Sequence, residues 1–260
     1  MSLLHIKNLD LSFKLLTKQV DVLHGINLKI AVGKKVALVG ESGSGKSVIA
    51  RIILGLLQET RNARISGTVL FDGQNINTMP PRHRAELRGT EISMIFQDPT
   101  SSMNPMFTIG KQFSEVLRRR DPKLSKFASQ SRIMTLLDEV GIHDPERVRE
   151  AYPFQLSGGM NQRVMIAMAL ANKPKLLLAD EPGTALDVSV QAQTLSLMRD
   201  MVIQNGTSVL FISHNLGVVR EFADHIYVIY RGKIVEDGPT DALFLNPKHA
   251  YTRALMSAVP

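Results

Sequence analysis

The sequence predicts an α/β chain with a mostly parallel sheet, an antiparallel β portion near the N-terminus and an inserted helical subdomain. Three observations carry that expectation. The apolar run Val36, Ala37, Leu38, Val39 meets a glycine-rich loop and then Val48, Ile49, Ile52, Ile53 and Leu56 at helical spacing. Between residues 175 and 230, short apolar runs alternate with a helical stretch, the pattern of parallel strands joined by crossovers. From Ile109 to about Ala171 the pattern is mostly helical, with Ile133, Leu136, Leu137 and Val140 on one face.

Taken in order, residues 5–13 alternate as a half-exposed strand and residues 67–71 form another, followed by the turn pair Asp72-Gly73. Residues 35–40 read as a buried strand, 46–57 as a helix, and 91–96 as a short buried strand ending at Gln97-Asp98-Pro99. Gly141 and Asp144-Pro145 break the helical stretch. After it come a strand at 175–179, a helix at 188–204, and strands at 208–213 and 225–230. The turn Arg231-Gly232-Lys233 and a short helical tail complete the chain. The expected organisation is a single domain over 1–260. Residues 1–100 and 172–240 build its core, about 101–171 the helical subdomain, and 241–260 a C-terminal segment.

Composition excludes several chemistries. With no cysteine among 260 residues, disulfides, thiolate catalysis and iron–sulfur clusters are ruled out. The longest apolar run, residues 164–171, is far short of the ~20 residues of a spanning helix. Lys7 and Asp10 interrupt the N-terminus too early for a secretory apolar core, so a cytosolic location is expected. Basic residues outnumber acidic ones 31 to 24, with Arg118, Arg119 and Arg120 as the densest cluster. Such a cluster suits an anionic partner or the C-terminus of a helix in water, and charge does not separate the two.

The loop Gly40-Glu41-Ser42-Gly43-Ser44-Gly45-Lys46-Ser47 fits the Gly-x-x-x-x-Gly-Lys-Ser pattern between a strand and a helix. Its glycines let successive N–H groups point inward at phosphate oxygens, and the helix start adds partial positive charge. Lys46 is placed to reach the β- and γ-phosphates, and the Ser47 hydroxyl to bind Mg²⁺. Leu176, Leu177, Leu178 and Ala179 lead to Asp180-Glu181, two carboxylates at a strand end, where ligand groups gather in parallel sheets. Asp180 can hold Mg²⁺, and Glu181 can orient or deprotonate an attacking water. Gln97, at another strand end, can touch both the metal and that water. His214, after the strand at 208–213, can donate to a γ-phosphate as charge develops.

Together these residues resemble the ATP-binding cassette (ABC) family, over essentially the entire chain. The family's signature, usually Leu-Ser-Gly-Gly-Gln, stands here as Leu156-Ser157-Gly158-Gly159-Met160. The resemblance implies an ABC nucleotide-binding domain with a RecA-like parallel-sheet core and an ATPase that uses ATP and Mg²⁺. It also implies a head-to-tail dimer, with Ser157, Gly158 and Gly159 closing over the ATP held by the other subunit. Thr184-Ala185-Leu186-Asp187 resembles the dimer-contact loop, with Asp187 its acid, and Phe13 matches the aromatic that stacks on adenine.

Residues 157–182 are similar to those of the ATPases that power peptide and nickel importers, a branch in which Met160 is usual. The segment Asn246-Pro247-Lys248-His249-Ala250-Tyr251-Thr252-Arg253 also looks like the start of that branch's C-terminal portion. Peptides and nickel or another metal chelate remain equal alternatives as the solute. The implied partners are two membrane permease subunits, a second homologous ATPase in a heterodimer, and an extracytoplasmic solute-binding protein, with no nucleic acid. The implied place is the cytoplasmic face of the cell membrane. Phe107, Ile109, Phe113 and Leu117 are candidates for the permease-facing surface or for helix core. Three positions depart from the common pattern: Asn161 where Arg is common, Gly183 where Thr is, and Asn215 where Asp is. A soluble cassette ATPase acting on ribosomes or nucleic acid is the alternative from another class. A non-hydrolysing regulatory cassette is opposed by Lys46, Asp180, Glu181 and His214.

Overall fold

The computed structural model describes residues 2–183 and 187–257. They form two units, Met1–Leu87 with Ser208–Pro260, and Arg88–Thr207. In the first, β1 (Ser2–Lys14) and β2 (Gln19–Ala31) pair antiparallel. Ile26, Leu28 and Ile30 are buried while Asn27 and Lys29 face outward, the two-residue period of a strand with one wet face. The short buried β3 (Lys35–Val39) leads through the glycine-rich loop to α1 (Lys46–Ile53). Then come β4 (Ala63–Phe71), β5 (Gln74–Asn75) and α2 (Pro81–Leu87). An antiparallel sheet of order β2-β1-β4-β5 results. Ile49, Ile52 and Ile53 anchor α1 in the core, each burial contributing about 1.5–3 kcal/mol. The helix stops at Ile53, earlier than the expected Leu57, because Gly55 takes φ 69°, outside helical geometry.

The second unit carries β6 (Ile92–Ile95), α3 (Pro99–Ser102), α4 (Ile109–Arg120), α5 (Lys126–Glu139), α6 (Pro145–Glu150), α7 (Gly158–Leu170), β7 (Leu176–Asp180) and α8 (Val188–Asn205). Side chains cap four of these helices: the Thr108, Ser125, Asp144 and Ser157 oxygens accept from backbone N–H groups three residues on. β6 and β7 run parallel, Ile95 opposite Ala179, so Gln97 and Asp180-Glu181 emerge at the same end. The arginine cluster is engaged locally at the end of α4. Arg120 meets Glu91 at 3.2 Å, Arg119 donates to the Arg88 carbonyl at 3.0 Å, and Arg118 lies 3.9 Å from Glu115.

The chain completes the first unit with β8 (Ser208–Ser213), α9 (Leu216–Phe222), β9 (His225–Tyr230), β10 (Lys233–Pro239), α10 (Thr240–Leu245) and α11 (Ala250–Ser257). Here β3 is flanked by β8 and β9, both parallel to it, and β10 pairs antiparallel to β9. Arg231 and Gly232 both take positive φ, which suits the two-residue hairpin between β9 and β10. Among the described residues no helix is long and apolar enough to cross a membrane.

Candidate active site

The phosphate loop begins where β3 ends. Val39 lies opposite Ser213 of β8 and Val228 of β9, so Gly40 and His214 leave neighbouring strands side by side. Close packing forces glycine at Gly40, since a Cβ there would sit 2.1 Å from the Ile229 carbonyl oxygen. At Gly43 (φ 79°) a Cβ would meet no atom within 4 Å: the space beside it is open. Gly45, at φ 106°, starts α1 without a side-chain cap. Lys46 is only 5% exposed, and its Nζ donates to the carbonyls of Gly40 and Glu41, each at 2.8 Å. The cation thus sits at the bottom of the loop. Among the described residues the buried Ser44 hydroxyl has no hydrogen-bond partner. Glu41 and Ser42 form the exposed first turn, and Ser47 opens the helix beside Lys46. Phe13 is half-buried near the end of β1, opposite Val20 and Ala63. The neighbouring β2 brings Leu23 against Gly45, flanking the loop.

In the other unit, Gln97 Nε2 donates to Glu181 Oε2 at 3.0 Å, joining residues 84 apart in sequence. Glu181 holds φ 49°, a left-handed conformation that costs a non-glycine residue about 1–3 kcal/mol. That turn projects its carboxylate beyond the strand end, while Asp180 stays buried. The Ser157 hydroxyl accepts from Met160 N at 3.3 Å, and Gly158 and Gly159 open α7. Gly159 is confined: a Cβ would lie 3.1 Å from Val190 Cγ1. Ser157, Gly158, Gly159 and Asp187 line one open pocket of about 830 Å³, joined by Arg147 and Arg163. Of the expected contact loop, Thr184, Ala185 and Leu186 lie outside the described residues.

Residues 23–184 match the family described as ABC transporter. The chain belongs to that family. It is 49% identical, over 99% of its length, to "Peptidoglycan transport ATP-binding protein YejF" of Agrobacterium fabrum, of which it spans 47%. It is 46% identical over 99% of its length to "Oligopeptide transport ATP-binding protein OppD" of Bacillus subtilis, spanning 72% of that protein. Against "Oligopeptide transport ATP-binding protein AppD" of the same organism it is 44% identical over 100% of its length, spanning 79%. Among solved structures it is similar to the dimeric ATP-binding cassette MJ0796 bound to ADP and Pi. The TM-score is 0.80 at 28% identity, covering 91% of this chain and 98% of that one. It is also similar to cbiO1 from Clostridium perfringens, part of the complex cbiONQ. There the TM-score is 0.77 at 25% identity, covering 94% and 91%. The cassette is thus an ABC-type ATPase with the expected ABC fold.

Its departures from the common pattern acquire physical content. Asn215 caps α9, accepting from Val218 N at 3.3 Å as an aspartate would. Gly183 takes φ 90°, which disfavours a threonine, and a Cβ would lie 3.2 Å from Gln191 Cγ. Asn161 is buried and donates to the Pro153 carbonyl at 3.0 Å. The two alternatives for the apolar residues of this segment, surface or helix core, divide among them. Ile109, Phe113 and Leu117 are buried core on one face of α4, leaving Phe107 exposed. Exposed Met106 and Phe154 were not among the candidates. Helical spacing identified the apolar face of α4, whereas which loop side chains stay uncovered depends on tertiary packing. Sequence expectations gave no role beside the loop to Gly232 and Tyr251, which bond to Ser44 and Glu41 across 188 and 210 residues, or to Tyr230, whose ring lies against Tyr251.

Proposed function

We propose that this ATPase energises import of peptides across a cytoplasmic membrane, as one subunit of a transporter. The names of the relatives above, for oligopeptide and peptidoglycan transport, support peptides over nickel or another metal chelate. The observation that carries the hydrolytic role is the buried lysine under an open glycine cradle, with a glutamine-held glutamate at the strand end of the other unit.

In this scheme the phosphate chain of ATP lies along residues 40–47, and Phe13 stacks on adenine. Lys46 turns from the Gly40 and Glu41 carbonyls to the β- and γ-phosphates. A water oxygen bonds to Pγ as the bond from Pγ to the β–γ bridging oxygen breaks. Glu181 orients that water and receives its proton, with Gln97 fixing the carboxylate and His214 donating to the γ-phosphate. Products are ADP and phosphate. Ser47, Asp180 and Gln97 would hold Mg²⁺, which neutralises charge on the β- and γ-oxygens. The donors of these three residues, a hydroxyl, a carboxylate and an amide oxygen, are the hard oxygen ligands that Mg²⁺ takes.

The pocket beside Ser157 and Asp187 would close over the ATP of a second ATPase subunit, with a homologous rather than identical partner. Two permease subunits would dock on exposed apolar side chains such as Phe107, Met106 and Phe154, and an extracytoplasmic binding protein would deliver the solute. In this scheme the chain sits peripherally at the cytoplasmic face. Glu181→Gln tests the chemistry: ATP binding should persist while turnover falls at least about 10²-fold and an ATP-bound dimer accumulates. Unchanged turnover would remove Glu181 from its role. Uptake of labelled peptides against nickel by the reconstituted transporter tests the solute.

A further inference from the structure

The first turn of the phosphate loop is held by the far end of the chain. The backbone N–H of Glu41 donates to the Tyr251 hydroxyl at 2.9 Å, across 210 residues. On the other side of the same residue, the Glu41 carbonyl accepts from Lys46 Nζ at 2.8 Å. Glu41 is therefore gripped through both its peptide groups.

Tyr251 is itself firmly placed. Its ring lies against Tyr230 at the end of β9, centroids 4.3 Å apart. It is the second residue of α11, whose start is fastened to β10: Glu236 accepts from Lys248 N at 2.7 Å and His249 N at 2.9 Å. Thr252 and Met256 are buried beneath. Burial raises the Tyr251 pKa, so the phenol is neutral at physiological pH and its oxygen serves as the acceptor. A second tie runs from Gly232 N, in the β9–β10 turn, to the Ser44 carbonyl at 3.2 Å.

When nucleotide enters, Lys46 gives up its bond to Glu41 in favour of phosphate oxygens, and one of the two grips on Glu41 is lost. The Tyr251 bond does not compete with phosphate and can persist throughout. We propose that Tyr251 is a positioning residue for nucleotide binding: it keeps the phosphate loop in its receptive shape, and ATP affinity depends on the seating of α11. The gain is preorganisation, since the loop is ordered before the ligand arrives. Linkage makes the effect mutual, so ATP tightens the attachment of α11. This inference rests on phosphates occupying the loop at residues 40–47.

The test uses the full-length protein, with titration of ATP in the presence of Mg²⁺ and steady-state ATPase kinetics. Tyr251→Phe keeps the ring against Tyr230 and removes only the acceptor. It should weaken ATP binding about two- to tenfold and raise KM by a similar factor, with kcat at saturating ATP nearly unchanged. Glu236→Ala, which unfastens α11, should weaken ATP binding comparably. In the Tyr251→Phe background it should add little, because both changes remove one tie. Wild-type Kd and KM in Tyr251→Phe, or fully additive effects of the two substitutions, would overturn the proposal. Lys46→Ala separates the two levels. If it abolishes ATP binding while Tyr251→Phe binds normally, the positioning role fails and the phosphate-loop assignment stands. If Lys46→Ala also binds normally, that assignment itself fails.

Discussion

Two glycines of the same loop should fail in opposite ways when replaced by alanine. At Gly40 the added Cβ would lie 2.1 Å from the Ile229 carbonyl oxygen, backbone on the adjoining strand β9. Reaching even a 3.0 Å contact requires the two strands to part by about 0.9 Å. Overpacking of this kind costs about 1–3 kcal/mol, and the φ of +155° adds about 1–3 kcal/mol for a side-chain-bearing residue. Gly40→Ala should therefore lose about 2–6 kcal/mol, a fall of roughly 5–20 °C in the thermal midpoint. At Gly43 the Cβ enters open space, and only a backbone cost of about 1–2 kcal/mol applies. That same space is where a phosphate would approach the loop backbone. Gly43→Ala should keep most of its stability and bind ATP at least about tenfold more weakly, near 1.4 kcal/mol. Thermal unfolding without nucleotide, followed by calorimetric titration with ATP and Mg²⁺, separates the two effects. A Gly43→Ala protein that melts as low as Gly40→Ala yet binds ATP normally would refute the division of roles.

Other expectations follow from single contacts. Asn215→Ala removes the cap of α9 and should cost about 1 kcal/mol, whereas Asn215→Asp should not; equal melting of the two would discard the cap as the reason for Asn215. Gly183→Thr restores the commoner residue but should destabilise by about 1–2 kcal/mol, because φ 90° disfavours a branched side chain; a raised midpoint would contradict this. Burial works to raise the Glu236 pKa, but the Thr252 hydroxyl and the Lys248 and His249 amides outweigh it and hold it below 4.5. Its stabilising effect is complete above pH 4.5 and fades as pH falls through the lowered folded-state value. Glu236→Gln should flatten that part of the acid profile, measured as thermal midpoint between pH 7 and 3, and profiles parallel to wild type would exclude Glu236 as the titrating group.

Much of the fold is legible locally. The glycine spacing of three and two before Lys46 marks the curled loop, where all three glycines take positive φ, and the apolar runs at 36–39, 176–179 and 209–212 name buried strands almost to the residue. The boundaries of β8 and β9 agree with expectation because polar or turn residues flank them directly. β2 is absent from the sequence expectations although Ile26, Leu28 and Ile30 alternate plainly; its Gly25 interrupts the run, and β1 shifts register opposite it. The apolar stripe of α4 was equally legible, but the same stripe is core or docking surface depending on what covers it.

By itself the sequence determined the family, the glycine-rich loop between β3 and α1, and the place of Asp180-Glu181 at a strand end. Each depends on residues within a few turns of one another, where bond geometry leaves little choice. Only the tertiary structure decided that Lys46 rests on its own loop's carbonyls, that Gln97 holds Glu181, and that Tyr251 reaches back to Glu41. Such bonds join groups brought together by the packing of whole strands and helices, and their geometry is set by side-chain positions that no local period encodes.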